Sequence, residues 1–174
     1  MSGSGSGITL VLGGARSGKS AFAENLAATS GLPGIYLATA EARDSEMDAR
    51  IAAHQARRGD GWTTVEAPLD LAGAVDAEAR PDRILLIDCL TLWVTNLMMA
   101  ERDIDAAFDG FCASLEKARG PVIAVSNEVG LGIVPDNAMA RAFRDHAGLL
   151  HQRVAALAGT VYFVAAGLPQ KLKG

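Results

Sequence analysis

Residues 11–27 read VLGGARSGKSAFAENLA. The apolar run Ile8–Leu12 stops abruptly at two glycines, and an alanine-rich helical pattern starts at Lys19. Between them, Gly13, Gly14, Ala15, Arg16, Ser17, Gly18, Lys19 and Ser20 fit the spacing G-x-x-x-x-G-K-[ST], with a strand before and a helix after, as that motif requires. Glycines let the backbone turn so that successive N–H groups face phosphate oxygens. The helix starting near Gly18 adds its positive end. Lys19 is expected to reach the β- and γ-phosphates of a nucleotide, and Ser20 to hold Mg²⁺.

Outward from this loop, strand and helix patterns alternate. Gly34–Ala40, Arg83–Asp88, Pro121–Ser126 and Thr160–Ala165 are short apolar runs of the kind buried in parallel sheets, with Thr160–Ala165 read as the last strand. Trp62–Glu66 is a short strand or extended segment. Helices are expected over Lys19–Ala28, from Ser45 to about Arg58, from Pro68 to about Glu78, over Leu90–Glu101, Ile104–Ala118 and Ala138–Leu157. The fold class is therefore α/β: a mostly parallel sheet with helices on both faces. Its ligands are expected at the carboxyl ends of the strands, after Leu12, Leu37, Ile87 and Val125.

The chain has 174 residues, which suits one domain, 8–174, behind a flexible leader, MSGSGSG, at 1–7. The net charge of −4 argues against a nucleic-acid partner or a polybasic membrane anchor, so any anion site must be built locally. No stretch is long and apolar enough to span a bilayer, and no signal peptide is visible. Cys89 and Cys112 lack metal-ligand spacing and read as buried, reduced thiols of a cytoplasmic protein.

Two further positions carry chemistry. Asp88 ends the run RILLID and is expected to be the second Mg²⁺ anchor; the alternative, compatible with it, is the N-cap of the following helix. On the segment SEMDARIAAHQARRGDGW, residues 45–62, His54 follows Arg50 by four residues and precedes Arg57 and Arg58 by three and four. Those side chains share one helical face. A histidine among guanidinium groups resists protonation, and the arginines suit phosphate oxygens, so a neutral imidazole there is a candidate nucleophile toward phosphorus. The alternative is a solvated basic face with an incidental histidine. His146 and His151, on the long last helix, read as structural.

These segments together resemble one enzyme family. GGARSGKS, YLATA, RIAAHQARR, WTTVE, DCLTLWVTNL, SNEVGLGIVP and ARAFRDHAGLLHQRVA occur in this order in bifunctional adenosylcobinamide kinase / adenosylcobinamide-phosphate guanylyltransferases of cobalamin biosynthesis, over Ile8 to about Leu172. The resemblance implies a P-loop NTPase with a RecA-like sheet. It implies two reactions: phosphorylation of adenosylcobinamide by ATP or GTP, then transfer of GMP from GTP to adenosylcobinamide phosphate through a guanylylated histidine, here His54, with release of pyrophosphate. The nucleotide contacts it carries over are Gly13–Ser20, Ala38, Thr39, Ala40, Gln55, Ala56, Arg57, Arg58, Glu66 and Asp88. It further implies a homo-oligomer, a trimer. Glu66 is a candidate for the edge of the guanine base, because a carboxylate accepts from adjacent N–H groups.

The loop NEVGLGIVPDN, 127–137, follows a strand and reads either as a structural turn or as part of the site. Asn127 and Glu128 are its candidates for function, Glu128 as general base toward the acceptor hydroxyl. Arg141 and Arg144 either hold the phosphate of the second substrate or form surface ion pairs. Trp93 and Met98 read as core. Two competing functions stay open at this level: a simple small-molecule kinase without a covalent histidine, and a nucleotide-operated switch.

Overall fold

The computed structural model describes residues 7–40 and 61–174. The expected helix from Ser45 to Arg58, and with it His54, Gln55, Ala56, Arg57 and Arg58, lies outside the described residues. The strands are β1 (Ile8–Gly13), β2 (Gly34–Ala38), β3 (Trp62–Glu66), β4 (Ile84–Asp88), β5 (Val122–Asn127), β6 (Thr160–Ala165) and β7 (Leu168–Lys173). The helices are α1 (Lys19–Ala28), α2 (Leu71–Glu78), α3 (Leu90–Met99), α4 (Ile104–Glu116) and α5 (Ala138–Leu157).

Among the described residues, seven strands form one sheet in the order β3-β2-β4-β5-β1-β6-β7. Every neighbouring pair is parallel except β6 with β7. The parallel strands are buried on both sides, and alternate residues enter different cores. Leu10 and Leu12, Ile35 and Leu37, and Leu85 and Ile87 pack with residues of α2 to α5. Val11, Tyr36, Leu86 and Val125 pack with Ala23 and Ala27 of α1. This period of two is what sends continuous apolar runs to two separate layers. In the larger layer Trp93 lies 5.8 Å from Phe108 and 5.2 Å from Phe111, ring centre to ring centre. Its indole N–H donates to the Leu69 carbonyl at 2.9 Å.

Several boundaries differ from expectation for local reasons. The second described helix begins at Leu71 rather than Pro68, because Asp70 is its N-cap and accepts the Gly73 N–H at 2.9 Å. Pro68 and Leu69 stay outside it, their carbonyls taken by Asn96 and Trp93. Helix α3 stops at Met99 rather than Glu101. Glu101 sits at φ 51, and the N–H groups of Glu101 and Arg102 return to the carbonyls of Met98 and Leu97. That is a Schellman ending with glutamate in the position glycine usually takes.

The largest difference is β7. Thr160–Ala165 is not the last strand: Leu168–Lys173 folds back on it through Ala166 and Gly167, at φ 52 and φ 77. Two successive left-handed residues are the requirement of a type I′ hairpin turn, whose twist matches that of the strands. The LPQKLK strand is exposed along its whole length and contains proline and two lysines, so no burial pattern marks it.

Candidate functional site

Because β1, β2, β4 and β5 are parallel, their carboxyl ends lie along one edge of the sheet, and Gly13 pairs in register with Asn127. The chain leaves β1 on one side of the sheet for β2 and later returns to β1's other side with β6. Beside β1 the sheet order thus reverses, which is where such sheets open a crevice.

The loop from Gly13 to Ser20 lies there. Both end glycines are required by its geometry. A Cβ on Gly13 would come within 2.5 Å of the Ser17 hydroxyl and 2.6 Å of the Val164 carbonyl. Gly18, the N-cap of α1, has φ 91, a conformation that costs other residues roughly 1–2 kcal/mol. Arg16 is also left-handed, at φ 54. Lys19 is buried, and its ammonium donates to the Gly14 carbonyl at 3.1 Å, closing the loop on itself. Ala15, Arg16 and Gly18 are exposed, Gly14 and Ser20 half-buried, and Ser17 buried.

Asp88 is the last residue of β4, in register with Ala38 of β2 and Val125 of β5. The N-cap of α3 is Cys89, so the alternative that Asp88 caps this helix is corrected: the chain needs one more extended residue, Cys89 at φ −137 and ψ 161, before it turns. The Asp88–Cys89 peptide is cis. The Cys89 thiol is buried beside the Asp88 carboxylate, and burial first, then that charge, push its pKa up to about 11.

Behind these strand ends runs a buried polar network. The Thr39 hydroxyl donates to the Cys89 carbonyl at 2.8 Å and accepts the Cys89 N–H at 2.9 Å. Asn96 donates to the Thr39 carbonyl at 2.7 Å and the Pro68 carbonyl at 3.0 Å. Asn127 donates to the Thr91 hydroxyl at 2.9 Å. Buried polar groups with partners hold one geometry because an alternative would leave them unsatisfied. The network therefore locks the ends of β2, β4 and β5 to α3. Thr39 turns its hydroxyl into this wall, while Ala38 is buried, Ala40 half-buried and Glu66, at the end of β3, exposed. The part of Asn96 and Thr91 escaped sequence reasoning, since both sit in an apolar helical stretch where single polar residues carry no signal of their own.

Glu128 follows β5 directly, and its N–H donates to the Gly13 carbonyl at 2.9 Å. One carboxylate oxygen accepts the Gly130 N–H at 2.5 Å. The other lies 3.8 Å from Nδ1 of His151, whose Nε2 is 2.7 Å from the Ser126 hydroxyl. Burial lowers the pKa of His151, and the Glu128 charge works against that shift. His151 belongs to the buried stripe Ala147, Leu150, His151 and Val154 of α5, so the structural reading of this histidine holds. Past Glu128 the loop exposes Leu131, Ile133 and Val134. The Arg141 guanidinium donates to the Pro135 and Asp136 carbonyls at 2.9 and 2.8 Å and so ties the loop to α5. Arg144 pairs with Asp145 at 3.4 Å, at the surface. Trp93 is buried and Met98 packs against the core, while Cys112 is half-buried.

Most of the chain has known counterparts in sequence. The family described as "Cobinamide kinase / cobinamide phosphate guanyltransferase" matches residues 9–172. The bifunctional adenosylcobalamin biosynthesis protein CobP of Pseudomonas aeruginosa is 50% identical over 167 residues, 95% of this chain and 96% of that protein. The bifunctional adenosylcobalamin biosynthesis proteins CobU of Salmonella typhimurium and Escherichia coli are 40% and 38% identical over 181 residues, covering 95% of this chain and 99% of each relative. With the sheet, the glycine loop and the match over residues 9–172 in agreement, this chain belongs to the cobinamide kinase / cobinamide phosphate guanyltransferase family and has its P-loop NTPase fold.

Proposed function

We propose that this protein catalyses both reactions of its family in cobalamin biosynthesis, and that His54 carries GMP between them. The observation that carries the proposal is the placement of the Gly13–Ser20 loop at the sheet edge, with Asp88 and Glu128 at the ends of the two strands nearest to it on one side.

In the first reaction the triphosphate lies against the N–H groups of the loop and the positive end of α1. Lys19 exchanges the Gly14 carbonyl for phosphate oxygens. The hydroxyl of the aminopropanol arm of adenosylcobinamide attacks the γ-phosphorus of ATP or GTP, its proton passes to the Glu128 carboxylate, and the bond to the β-phosphate oxygen breaks, releasing the nucleoside diphosphate. In the second, neutral His54 attacks the α-phosphorus of GTP, a P–N bond forms and pyrophosphate leaves. A phosphate oxygen of adenosylcobinamide phosphate then displaces the imidazole, giving adenosylcobinamide-GDP and restoring the histidine. The division replaces one hard displacement by two easier ones. Gln55–Arg58 and Ala38–Ala40 supply further nucleotide contacts, and Glu66 accepts from the guanine edge.

The Ser20 hydroxyl and the Asp88 carboxylate are hard oxygen donors and fit Mg²⁺, which takes one or two protein oxygens and fills its remaining positions with water and phosphate. Bound there, the ion would neutralise charge on the phosphates. The exposed apolar side chains of 131–134 are the kind a subunit contact covers, in keeping with a trimer, which light scattering at several concentrations tests.

The deciding experiment is incubation with Mg²⁺ and GTP labelled in the α- or the γ-phosphate. Acid-labile, alkali-stable α-label on the protein, absent from His54→Ala, is expected. Phosphoryl transfer without any covalent label would reduce the protein to a simple kinase, and binding alone would make it a switch.

A further inference from the structure

In a trans peptide the C=O and the following N–H point in opposite directions. Fixing a carbonyl of the phosphate loop from behind therefore aims the next N–H to the other side. Three carbonyls are fixed in this way. Gly13 accepts the Glu128 N–H at 2.9 Å. Gly14 accepts the Ser17 N–H at 3.3 Å. Ser17 accepts the Gly167 N–H at 2.7 Å, the shortest of the three bonds. The first two anchors come from the adjoining strand and the loop itself. The third comes from the turn between β6 and β7, almost at the far end of the chain.

We propose that the Ala166–Gly167 turn is a positioning element of the triphosphate site: the Gly167 N–H fixes the Ser17–Gly18 peptide so that the Gly18 N–H faces the phosphates. The proposal rests on the reading that Gly13–Ser20 binds a triphosphate. The two segments touch elsewhere as well. A Cβ on Gly18 would meet the Gly167 Cα at 3.0 Å, so the backbones pack with nothing between them. The left-handed pair at φ 52 and φ 77 puts Gly167 where it can donate. Burial does not explain β7, whose residues are all exposed. It is instead tied at both ends, by Gly167 at the loop and by the Lys173 ammonium on the Ala155 and Ala156 carbonyls at 2.8 and 3.1 Å.

The test replaces the Gly167 N–H by an ester oxygen in the full-length protein, by incorporating glycolic acid at position 167, which removes the donor and adds no side chain. Affinities for inorganic tripolyphosphate and for GTP are measured by calorimetry, with melting temperature alongside. The ester is expected to weaken tripolyphosphate binding about 5-fold, the effect of losing one hydrogen bond, and to weaken GTP binding equally. Gln170→Ala, on exposed β7 outside the turn, retains wild-type affinity for both. Wild-type tripolyphosphate affinity in the ester protein, with or without a lower melting temperature, overturns the proposal and leaves the turn a structural device. Failure of the unmodified protein to bind either ligand overturns the triphosphate reading itself, and this inference with it.

Discussion

Strands β1 and β7 belong to one sheet, two places apart; β1 runs into the phosphate loop and β7 starts from the turn that touches it, yet they are held by opposite means. In β1, Leu10 and Val11 are fully buried, and the strand is paired on both sides. Strand β7 is exposed throughout and paired on one side only. Burial of apolar surface positions the first, while a turn conformation and a few hydrogen bonds position the second. A sheet can thus place one part of a site through its core and another through its edge, and the two should respond differently to mutation.

The largest separation between them is expected in stability. Leu10→Ala removes a fully buried side chain from β1 and should cost about 2–5 kcal/mol, measured by urea unfolding. Next is Lys19→Met, which keeps the bulk and removes the charge at the loop: kcat/KM for GTP should fall about 10²–10³-fold with little change in unfolding midpoint. Glu128→Gln should lower kcat for cobinamide phosphorylation about 10²-fold while leaving GTP-dependent labelling of the protein intact. Equal loss of both would move Glu128 from proton transfer to nucleotide binding.

A smaller effect depends on pH. Burial lowers the pKa of His151 from its ordinary 6.5. Below 6.5 the unfolded chain takes up a proton that the folded protein refuses, so stability falls as pH drops through that value and levels off below the folded pKa. In His151→Gln this part of the pH dependence should be missing from urea midpoints between about pH 7.5 and 5. A parallel pair of curves would show that the ring titrates normally in the fold. At the bottom of the range, Leu172→Ala on exposed β7 should change stability by no more than about 0.5 kcal/mol. A loss as large as that of Leu10→Ala would erase the contrast between the strands.

The same contrast explains what could be read in advance. The runs VLG, IYLA, ILLID and VIAVS announced themselves because strands buried on both faces must be apolar at nearly every position. The loop GGARSGKS was legible because its function constrains the backbone, and few sequences satisfy that constraint. LPQKLK was invisible, since no face of it is buried. The start of α2 was misplaced because Pro68 is a good first helical residue, but Asn96 and Trp93, distant in sequence, claim the carbonyls before it. For Arg141 the sequence left a phosphate contact and a surface ion pair open, and only the fold showed the Pro135 and Asp136 carbonyls within its reach.

By itself the sequence determined a parallel α/β sheet, the phosphate loop and its strand, and the family, because periodic burial and a glycine-dependent turn are properties of neighbouring residues. Tertiary structure alone decided that Thr39 locks to Cys89, that His151 lies behind Glu128, and that Gly167 braces the Ser17–Gly18 peptide. Those contacts join positions 23 to 150 residues apart, and a polar contact between such positions leaves no mark on either local segment until the sheet has brought them together.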